Sequence, residues 1–384
     1  MLAKLRLTAH TPARVLSGHP WAFMGEILTG VNLPPDGSCV ELTDLRGHSA
    51  GSGLWNSKSQ IAWRRYSRRS EILEGSVLEN LVRAAVQRRG ERKVGRLIWS
   101  EADSLPGLIV DRYGDCLSVQ ALTLGMDQRL PQVLPILQTL VKPREMVLRN
   151  DATTRKLEGL NQYIKTVSGQ PLEPFWLEVG GIQTYIDLLS GQKTGLYLDQ
   201  IEQHSNVARY ASGRNVLDAF CNQGGFGLAC AKAGAKSVLG LDSSEDAIDA
   251  ARRGALQNSL TARFEVANVF DWFTENREQS FDLIILDPPP FARKKEDIKA
   301  ALRGYKELNL RAMKMLNKGG ILATYSCSHR ISDGMVLGVL ESAAADAHRD
   351  AYILERTFQP ADHPVLVNFP ESLYLKGFIL EMRY

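Results

Sequence analysis

At 384 residues the chain is too long for one ordinary domain, so two or three domains are expected. The hydrophobic share of 44% and the charged share of 23% are typical of globular proteins, and no apolar run approaches the roughly 20 residues that span a bilayer. The start of the chain lacks a signal-peptide pattern, and the five cysteines form no C-x-x-C pair. This argues against disulfides or a zinc site and for a cytoplasmic protein without a metal.

The net charge of +3 hides an asymmetry between the two ends of the chain. Residues 1–100 contain 15 Lys or Arg and 8 Asp or Glu, so the remainder is acidic. A basic N-terminal quarter suits a surface that binds phosphate groups, and a merely solvated surface is the alternative.

The N-terminal part reads as all-β. Short apolar runs such as KLRLT, CVELTD and SAGSGLW alternate with turn residues, and they predict a domain over residues 1–72. Residues 76–90 have the apolar spacing of a helix, which Ser76 would cap and Gly90 would end.

The middle of the chain, residues 73–180, mixes strands and helices and predicts an α+β domain. SLPGLIVDRYGDCLSVQ indicates a hairpin that turns at Tyr113-Gly114-Asp115. LPQVLPILQTLV indicates a helix that the internal Pro135 bends or interrupts.

From about residue 186 to the end strands and helices alternate. This predicts an α/β domain, placed at residues 181–384, with a doubly wound, mostly parallel sheet. NVLDAFCNQGGFG, residues 215–227, reads as a strand followed by a glycine turn, and a second strand ends at Asp242. A glycine turn after one strand and an acid after the next is how such a sheet holds a nucleoside. Asn268, in a third predicted strand ARFEVANVFDWF, could bind an adenine edge.

A polar segment, GQKTGLYLDQ, precedes the first sheet strand and could fold over the same pocket. The segment and the motifs above together give the predicted cofactor-binding residues, which are Gln192, Thr194, Tyr197, Asp199, Asp218, Phe220, Asn222, Gly224, Gly225, Asp242, Ser243, Asn268 and Asp287.

A later apolar strand, LIILD, ends at Asp287 and leads into Pro288-Pro289-Pro290-Phe291. Ligands bind at the carboxyl ends of strands in this architecture, so Asp287 is expected at the site. Phe291 could stack on a planar base. A nucleoside site beside a base-gripping segment predicts a methyltransferase that uses S-adenosylmethionine (SAM) on nucleic acid.

Cys327 decides which chemistry is expected. It follows the strand GGILATYS and should lie at the same edge as Asp287. Carbon 5 of a pyrimidine is a poor nucleophile, but a thiolate that adds to carbon 6 converts it into an enamine-like carbon that can take a methyl group. The acid could hydrogen-bond the ring and stabilise developing charge. An inert buried cysteine is the alternative.

These motifs resemble a known family, the bacterial large-subunit ribosomal RNA cytosine-5 methyltransferases with an N-terminal PUA domain. QKTGLYLDQ, DAFCNQGGF, LDPPPFARKK and YSCSH are similar to that family's motifs in the family's order, and SGHPWAF resembles the start of its PUA domain. The resemblance implies a small PUA-like β-barrel, a central α+β domain and a Rossmann-like class I methyltransferase domain. It further implies SAM, a cytosine in ribosomal RNA, Cys327 as nucleophile and a homodimer.

The chain departs from related RNA enzymes at two places. Ile201-Glu202-Gln203 stands where relatives carry Arg-Glu-Asn. Many RNA cytosine-5 enzymes have a second cysteine after the Pro-Pro pair, and here Pro290-Phe291 stands there. The base that removes the carbon 5 proton is therefore not named by the sequence.

Two basic clusters are candidate RNA-binding surfaces. Arg64 and Arg65 belong to the first, which flanks Tyr66 and continues to Arg68 and Arg69, and the second spans residues 88–96. Mixed cations and aromatic rings suit single-stranded or irregular RNA. Beside the expected pocket, Arg293 and Lys294 could hold the flanking backbone. Solvated surfaces are the alternative.

Two other functions stay open at this stage. A methyltransferase acting on a purine nitrogen could also use an acidic-Pro-Pro-aromatic segment and would not need the cysteine. A non-catalytic RNA-binding ribosome assembly factor would lack SAM binding.

Overall fold

The structure is a computed structural model that describes residues 2–9, 13–30, 32–191, 193–292 and 295–383. It divides into two compact units. The first comprises Met1–Phe175, Ile186–Leu198 and Ala361–Ser372, and the second comprises Trp176–Tyr185, Asp199–Pro360 and Leu373–Tyr384. No helix in the described part of the chain is long and apolar enough to cross a membrane.

The N-terminal part of the first unit is a six-stranded sheet, as the alternation of short apolar runs predicts. Its strands are β1 Ala3–Leu7, β2 Trp21–Ala22, β3 Ile27–Leu28, β4 Cys39–Thr43, β5 Ser49–Trp55 and β6 Trp63–Ser67. They lie in the order β2-β6-β5-β4-β1-β3. Val40, Leu42, Trp55 and Trp63 are fully buried and centre its core.

The rest of the first unit is built on a five-stranded sheet. Its strands are β7 Val94–Trp99, β8 Leu108–Tyr113, β9 Cys116–Ala121, β10 Glu145–Asn150 and β11 Tyr163–Thr166, in the order β11-β10-β9-β8-β7. Four helices accompany it: α1 Gly75–Arg89, α2 Leu124–Asp127, α3 Leu130–Val141 and α4 Thr154–Leu157. The predicted hairpin is confirmed, since β8 and β9 pair antiparallel around Gly114, whose φ is 66°.

Two details predicted for helices in this unit were wrong: the cap of α1 and an interruption of α3. Helix α1 begins after Glu74 without a side-chain cap, so Ser76 lies inside the helix rather than at its start. Gly90 does end it, with a φ of 63°. Helix α3 continues through Pro135 without interruption. A proline in the second turn of a helix removes one backbone hydrogen bond, and the buried side chains of Val133 and Leu137 hold the helix in place.

The second unit contains a seven-stranded sheet and, in Trp176–Tyr185, most of a short hairpin. The hairpin consists of β12 Phe175–Val179 and β13 Ile182–Ile186. The sheet consists of β14 Asn215–Ala219, β15 Ser237–Asp242, β16 Arg263–Val266, β17 Phe281–Leu286, β18 Leu316–Ser326, β19 Ala351–Phe358 and β20 Lys376–Met382. Its order is β16-β15-β14-β17-β18-β20-β19, with β20 antiparallel to both of its neighbours and the other strands parallel.

Helices connect the strands of this sheet, and the apolar core lies between the helices and the sheet. The helices are α5 Ile201–Ala208, α6 Gly225–Lys232, α7 Glu245–Gln257, α8 Val269–Glu275, α9 Ile298–Met315 and α10 Asp333–Ala347. Strand β17 is central and almost entirely buried, as its apolar sequence predicts. Packing of α9 and α10 against β17 and β18 forms the largest apolar cluster.

The sequence misassigned one element of the second unit. ARFEVANVFDWF was predicted to be a single strand, but only Arg263–Val266 is extended, and VFDWF lies in α8. Asn268 caps that helix, which explains the change of structure at this residue. Similarly, β14 runs on to Ala219, so Asp218 is inside the strand rather than at its end.

Candidate active site

The strand order reverses between β14 and β17, and ligands of open parallel sheets bind beyond the carboxyl ends of strands at such a point. Ala219 ends β14 and Asp287 follows β17 directly. The amide of Asp287 donates a hydrogen bond to the carbonyl of Ala219 over 3.4 Å. The two motifs that the sequence singled out therefore meet at the reversal point.

The turn between β14 and α6 has an unusual backbone. Phe220, Asn222 and Gly224 have φ values of 66°, 48° and 79°. Residues other than glycine rarely adopt this left-handed region, and each such residue costs about 1 kcal/mol or more. The turn is compact as a result, and it delivers the first amides of α6 to the edge of the sheet.

Gly224 and Gly225 are needed by the protein's own packing. A Cβ atom on Gly225 would lie 2.4 Å from the ring of His204, and one on Gly224 would lie 2.9 Å from the ring of Phe264. The sequence assigned these glycines the task of admitting a bound molecule, but neighbouring rings also require them. Burial lowers the pKa of His204 to about 4, against the opposing effect of Asp199, so its ring is neutral at pH 7.

Asp218 holds the start of α6, just after the glycine turn, through a buried hydrogen bond. Its side chain is fully buried, and Oδ2 accepts a hydrogen bond from the amide of Gly227 at 2.7 Å. Burial raises its pKa to about 7, although the Gly227 amide opposes the shift, and the charges of Asp287 and Asp242 raise it further. The charges of two neighbouring carboxylates thus disfavour the ionised form of Asp218 at this edge of the sheet.

Asp242 is held in place by two backbone amides. Oδ2 accepts from Asn222 at 2.9 Å and Oδ1 accepts from Ser244 at 3.0 Å. The carboxylate is half-buried at the end of β15, and the neighbouring Ser243 is exposed. This anchoring fixes the orientation of a carboxylate that stands where an acid binds ribose hydroxyls in such sheets.

Asn268 is exposed, and its Oδ1 accepts hydrogen bonds from the amides of Phe270 at 2.9 Å and Asp271 at 3.4 Å. The side-chain oxygen is therefore engaged in capping α8. Its amide nitrogen is the group left to meet the adenine edge that the sequence assigned to it.

The segment 193–198 belongs to the first unit and is fixed there by buried hydrogen bonds. Thr194 Oγ1 donates to Asp111 Oδ2 at 2.5 Å and lies 3.1 Å from the hydroxyl of Tyr113. Lys193 Nζ lies 3.9 Å from the ring centre of Tyr197, a cation–π contact. Gln192, also predicted to bind the cofactor, lies outside the described residues.

Asp199 belongs to the second unit. It is buried, and the hydroxyl of Tyr374 donates a hydrogen bond to its Oδ2 at 2.7 Å. Thr194 and Asp199, which the sequence placed in one cluster, therefore make their observed contacts in different units.

Cys327 lies one residue beyond β18, next to the proline segment. Its Sγ is 3.9 Å from the carbonyl oxygen of Pro288. Strands β17 and β18 are parallel, and Leu286 stands opposite Thr324, so both strands deliver their next residues to the same edge. Among the five cysteines Cys327 alone is partly exposed, and the other four are buried.

The two serines that flank the cysteine both contact one tyrosine hydroxyl. The hydroxyl of Tyr305 lies 3.2 Å from Ser326 Oγ and 3.1 Å from Ser328 Oγ. Asp287 is half-buried at the adjacent strand end. The arrangement places a cysteine and an aspartate at the same end of two neighbouring strands.

Phe291 packs inward on α9. Its ring centre lies 4.7 Å from that of Tyr305 and 6.2 Å from that of Phe270, and a side chain at Gly304 would contact it. The ring is partly buried by these contacts. Arg293 and Lys294, which the sequence assigned to the RNA backbone, lie outside the described residues.

Arg64 and Arg65 differ from the exposed phosphate ligands that the sequence predicted. Arg64 makes ion pairs with Glu101 at 2.7 Å and Glu158 at 3.5 Å, so two carboxylates already balance its charge. Arg65 donates a hydrogen bond to the carbonyl of Gly18. Burial lowers the pKa of Arg65 to about 10, and the charge of Arg68 adds to this effect.

The second basic cluster is largely neutralised within the first unit. Both Arg88 and Arg89 contact Asp103, at 2.7 and 2.6 Å. Arg96 forms a buried pair with Asp111, also at 2.7 Å. These ion pairs tie elements of the central domain together. The basic cluster alone could not reveal them, because each carboxylate partner stands outside the cluster, 14 or 15 residues further along the chain.

Three residues near the cysteine and the glycine turn escaped the sequence analysis. They are His204, Tyr305 and Lys376. The sequence could have pointed to Lys376, because it is the single charge in the otherwise apolar run LYLKGFIL. Nothing in the local sequence marks His204 or Tyr305, whose positions follow from helix packing.

The residues at the sheet edge fit a nucleoside cofactor. The buried Oδ1 of Asp218 has no hydrogen-bond partner among the described residues, and Asp242 presents an anchored carboxylate. The backbone of the glycine turn links the two, since the Asn222 amide in the turn bonds Asp242. In the described part of the chain no three or more His, Cys, Asp or Glu side chains cluster as a metal site.

Comparison with known families agrees with this geometry. Residues 149–372 match the model of the S-adenosylmethionine-dependent methyltransferase family, and residues 5–68 match a PUA-like domain. The chain belongs to the S-adenosylmethionine-dependent methyltransferases. The prediction of a PUA-like domain followed by a Rossmann-like methyltransferase domain, with SAM as cofactor, is confirmed.

Individual relatives narrow the resemblance. Ribosomal RNA large subunit methyltransferase I of Tolumonas auensis is 38% identical over 382 residues, which cover 95% of this chain and 96% of the relative. The protein of the same name from Aeromonas hydrophila is 37% identical over the full length of both chains. A solved structure of a proposed SAM-dependent methyltransferase from Streptococcus mutans superposes with a TM-score of 0.84, at 20% identity over 99% of this chain and 100% of that one.

Proposed function

We propose that the protein transfers a methyl group from SAM to carbon 5 of a cytosine in large-subunit ribosomal RNA, with Cys327 as the nucleophile. The names of the relatives support the RNA substrate. The observation that carries the choice of carbon 5 is the position of Cys327, the one partly exposed cysteine, beside the Asp287-Pro288 strand end. A buried cysteine at this point would have favoured nitrogen methylation.

The proposed reaction assigns each step to a group of the protein. The Cys327 thiolate adds to carbon 6 of cytosine, and carbon 5 becomes nucleophilic. SAM supplies the methyl group on a positively charged sulfur. Asp287 hydrogen-bonds the ring and stabilises the charge that develops on it. After methyl transfer a base removes the proton from carbon 5, the carbon–sulfur bond breaks and the thiolate is regenerated.

The remaining site residues receive roles from their placement. Asp242 is proposed to bind the ribose hydroxyls, and Asp218 to hold the glycine turn for the cofactor. The proposed domains are a PUA-like domain over residues 1–72, a central domain over 73–180 and the methyltransferase domain over 181–384. We further propose that the protein forms a homodimer in the cytoplasm.

Cys327→Ala tests the function directly. The expected result is loss of methyl transfer from labelled SAM to ribosomal RNA by at least about a thousandfold, because removing a nucleophile typically costs that much or more. Nucleoside analysis of the native product should show 5-methylcytidine.

Cys230→Ala is the matched control, since Cys230 is fully buried in α6 and burial raises the pKa of its thiol. This variant should keep its activity. Methylation of a purine by the native protein, or unchanged activity in Cys327→Ala, would contradict the proposal. Absence of SAM binding in calorimetry would favour an assembly factor.

A further inference from the structure

A buried lysine stands behind the cysteine. Lys376 is only 3% exposed and opens β20, where it pairs in register with Ser326 of β18. Cys327 is the residue that follows β18 directly. Lys376 therefore pairs with the residue next to the cysteine, at the end of the ladder between β18 and β20.

The lysine has only neutral hydrogen-bond partners in the described part of the chain. Its Nζ donates to the carbonyls of Ser328 at 2.9 Å and Tyr374 at 3.0 Å. A buried cation without an ion pair is costly, so such groups are rare unless the charge has a use. Burial accordingly lowers the pKa of Lys376 to about 8, while the negative charges of Cys327 and Asp333 oppose that shift.

Other titratable and charged groups lie on the elements around Lys376 and Cys327. These are Tyr305 on α9, Asp287 after β17, Asp333 at the start of α10 with its partner Arg356 on β19, and the stacked pair of His329 and Tyr374. Lys376 differs from all of these groups in being a buried cation. A positive charge close to a sulfur favours its thiolate form over the neutral thiol.

We propose that Lys376 is a positioning residue for Cys327, and that its ammonium group is the counter-charge that stabilises the thiolate. The inference rests on the proposed function, because only a nucleophilic cysteine needs such a partner. One bond changes in the ionisation: the S–H bond breaks and its proton passes to water. The resulting ion pair gives the buried ammonium group a partner of opposite charge.

The test is the alkylation rate of Cys327 by iodoacetamide between pH 6 and 10, followed by mass spectrometry of the peptide that contains it. No RNA and no turnover are needed. Lys376→Met should move the midpoint of the profile upward by about one pH unit or more, because an opposite charge nearby lowers the pKa of an acid by 1–3 units. At pH 7 the alkylation rate should fall about tenfold.

Lys376→Arg is the matched variant, because a guanidinium group keeps the positive charge at every pH in the range. Its profile should lie closer to that of the native protein than to that of Lys376→Met. Equal shifts in the two variants would mean that packing rather than charge matters, and an unchanged profile in Lys376→Met would also overturn the proposal.

Should neither variant fold, the native protein still decides, since a midpoint at or above the ordinary thiol value of about 8.5 would refute a stabilised thiolate. The outcome is separable from the proposed function. A lysine-dependent profile in a protein that does not methylate cytosine contradicts only the function, and active enzyme with an unshifted profile contradicts only the role of Lys376.

Discussion

At the scale of single residues, the burial of Asp218 predicts how stability depends on pH. Its pKa rises from an ordinary value of 3.8 to about 7 in the folded protein. Between these values the folded state binds more protons than the unfolded state, so stability falls as pH rises from about 4 to about 7. The ionised carboxyl group of Asp218 therefore destabilises the folded protein at neutral pH.

Asp218→Asn should remove this dependence while its amide oxygen still accepts the hydrogen bond from Gly227. The difference in thermal midpoint, variant minus native protein, should be larger at pH 8 than at pH 5 by about 3 °C or more. Differential scanning calorimetry at the two pH values measures the change. A constant difference between variant and native protein would show that Asp218 has an ordinary pKa.

The sequence was informative about residues at strand ends and uninformative about residues that reach the site through packing. Asp242 and Cys327 were predictable, because each follows an apolar strand whose carboxyl end must lie at the ligand edge. His204 comes to the glycine turn through the packing of α5 on α6, and no local pattern encodes that contact.

At the scale of elements, the hydroxyl group of Thr194 holds the segment 193–198 in place. Thr194 donates to Asp111, a buried carboxylate that Arg96 also binds. Thr194→Val keeps the shape and removes the donor, which should cost about 1–3 kcal/mol because the hydrogen bond involves a charged group. The amide of Leu196, bonded to Tyr113, should then exchange its hydrogen about tenfold faster or more.

Thr139→Val is a suitable control for this experiment, since its exposed hydroxyl bonds only the carbonyl of Pro135 in its own helix. Exchange at Leu196 should be unaffected by the control. Unchanged exchange in Thr194→Val would show that the segment is held by other contacts.

Element type was predictable where hydrophobic spacing was long and regular, and failed where one residue redirects the chain. The alternation of strands and helices after residue 186 was predicted correctly, because each buried strand is a continuous apolar run. VFDWF was assigned to a strand because its composition is β-favouring, whereas the cap at Asn268 starts a helix there. Tertiary packing of Trp272 and Phe273 then stabilises that helix.

At the scale of the whole molecule, the basic N-terminal part predicts salt-dependent RNA binding. Arg68 and Arg69 are exposed, whereas Arg64, Arg89 and Arg96 are paired internally. The double variant Arg68→Gln and Arg69→Gln should weaken RNA binding and reduce the slope of log K against log salt by about 1–2. Filter binding at several salt concentrations provides the measurement.

Arg209→Gln serves as the control for charge alone, because Arg209 is exposed but pairs with Glu355 at 2.8 Å. It changes the net charge without removing a predicted phosphate contact, so the salt slope should stay as in the native protein. Equal slopes for the double variant and the native protein would exclude Arg68 and Arg69 from the RNA interface.

The central claim is that Cys327 forms a covalent bond with carbon 6 of cytosine. Incubation with SAM and large-subunit ribosomal RNA that contains 5-fluorocytidine tests it most directly, because fluorine at carbon 5 blocks the step that releases the enzyme. We predict a denaturant-resistant protein–RNA adduct that maps to Cys327 and is absent in Cys327→Ser. No adduct from a protein that binds SAM, or an adduct at another cysteine, would contradict the claim.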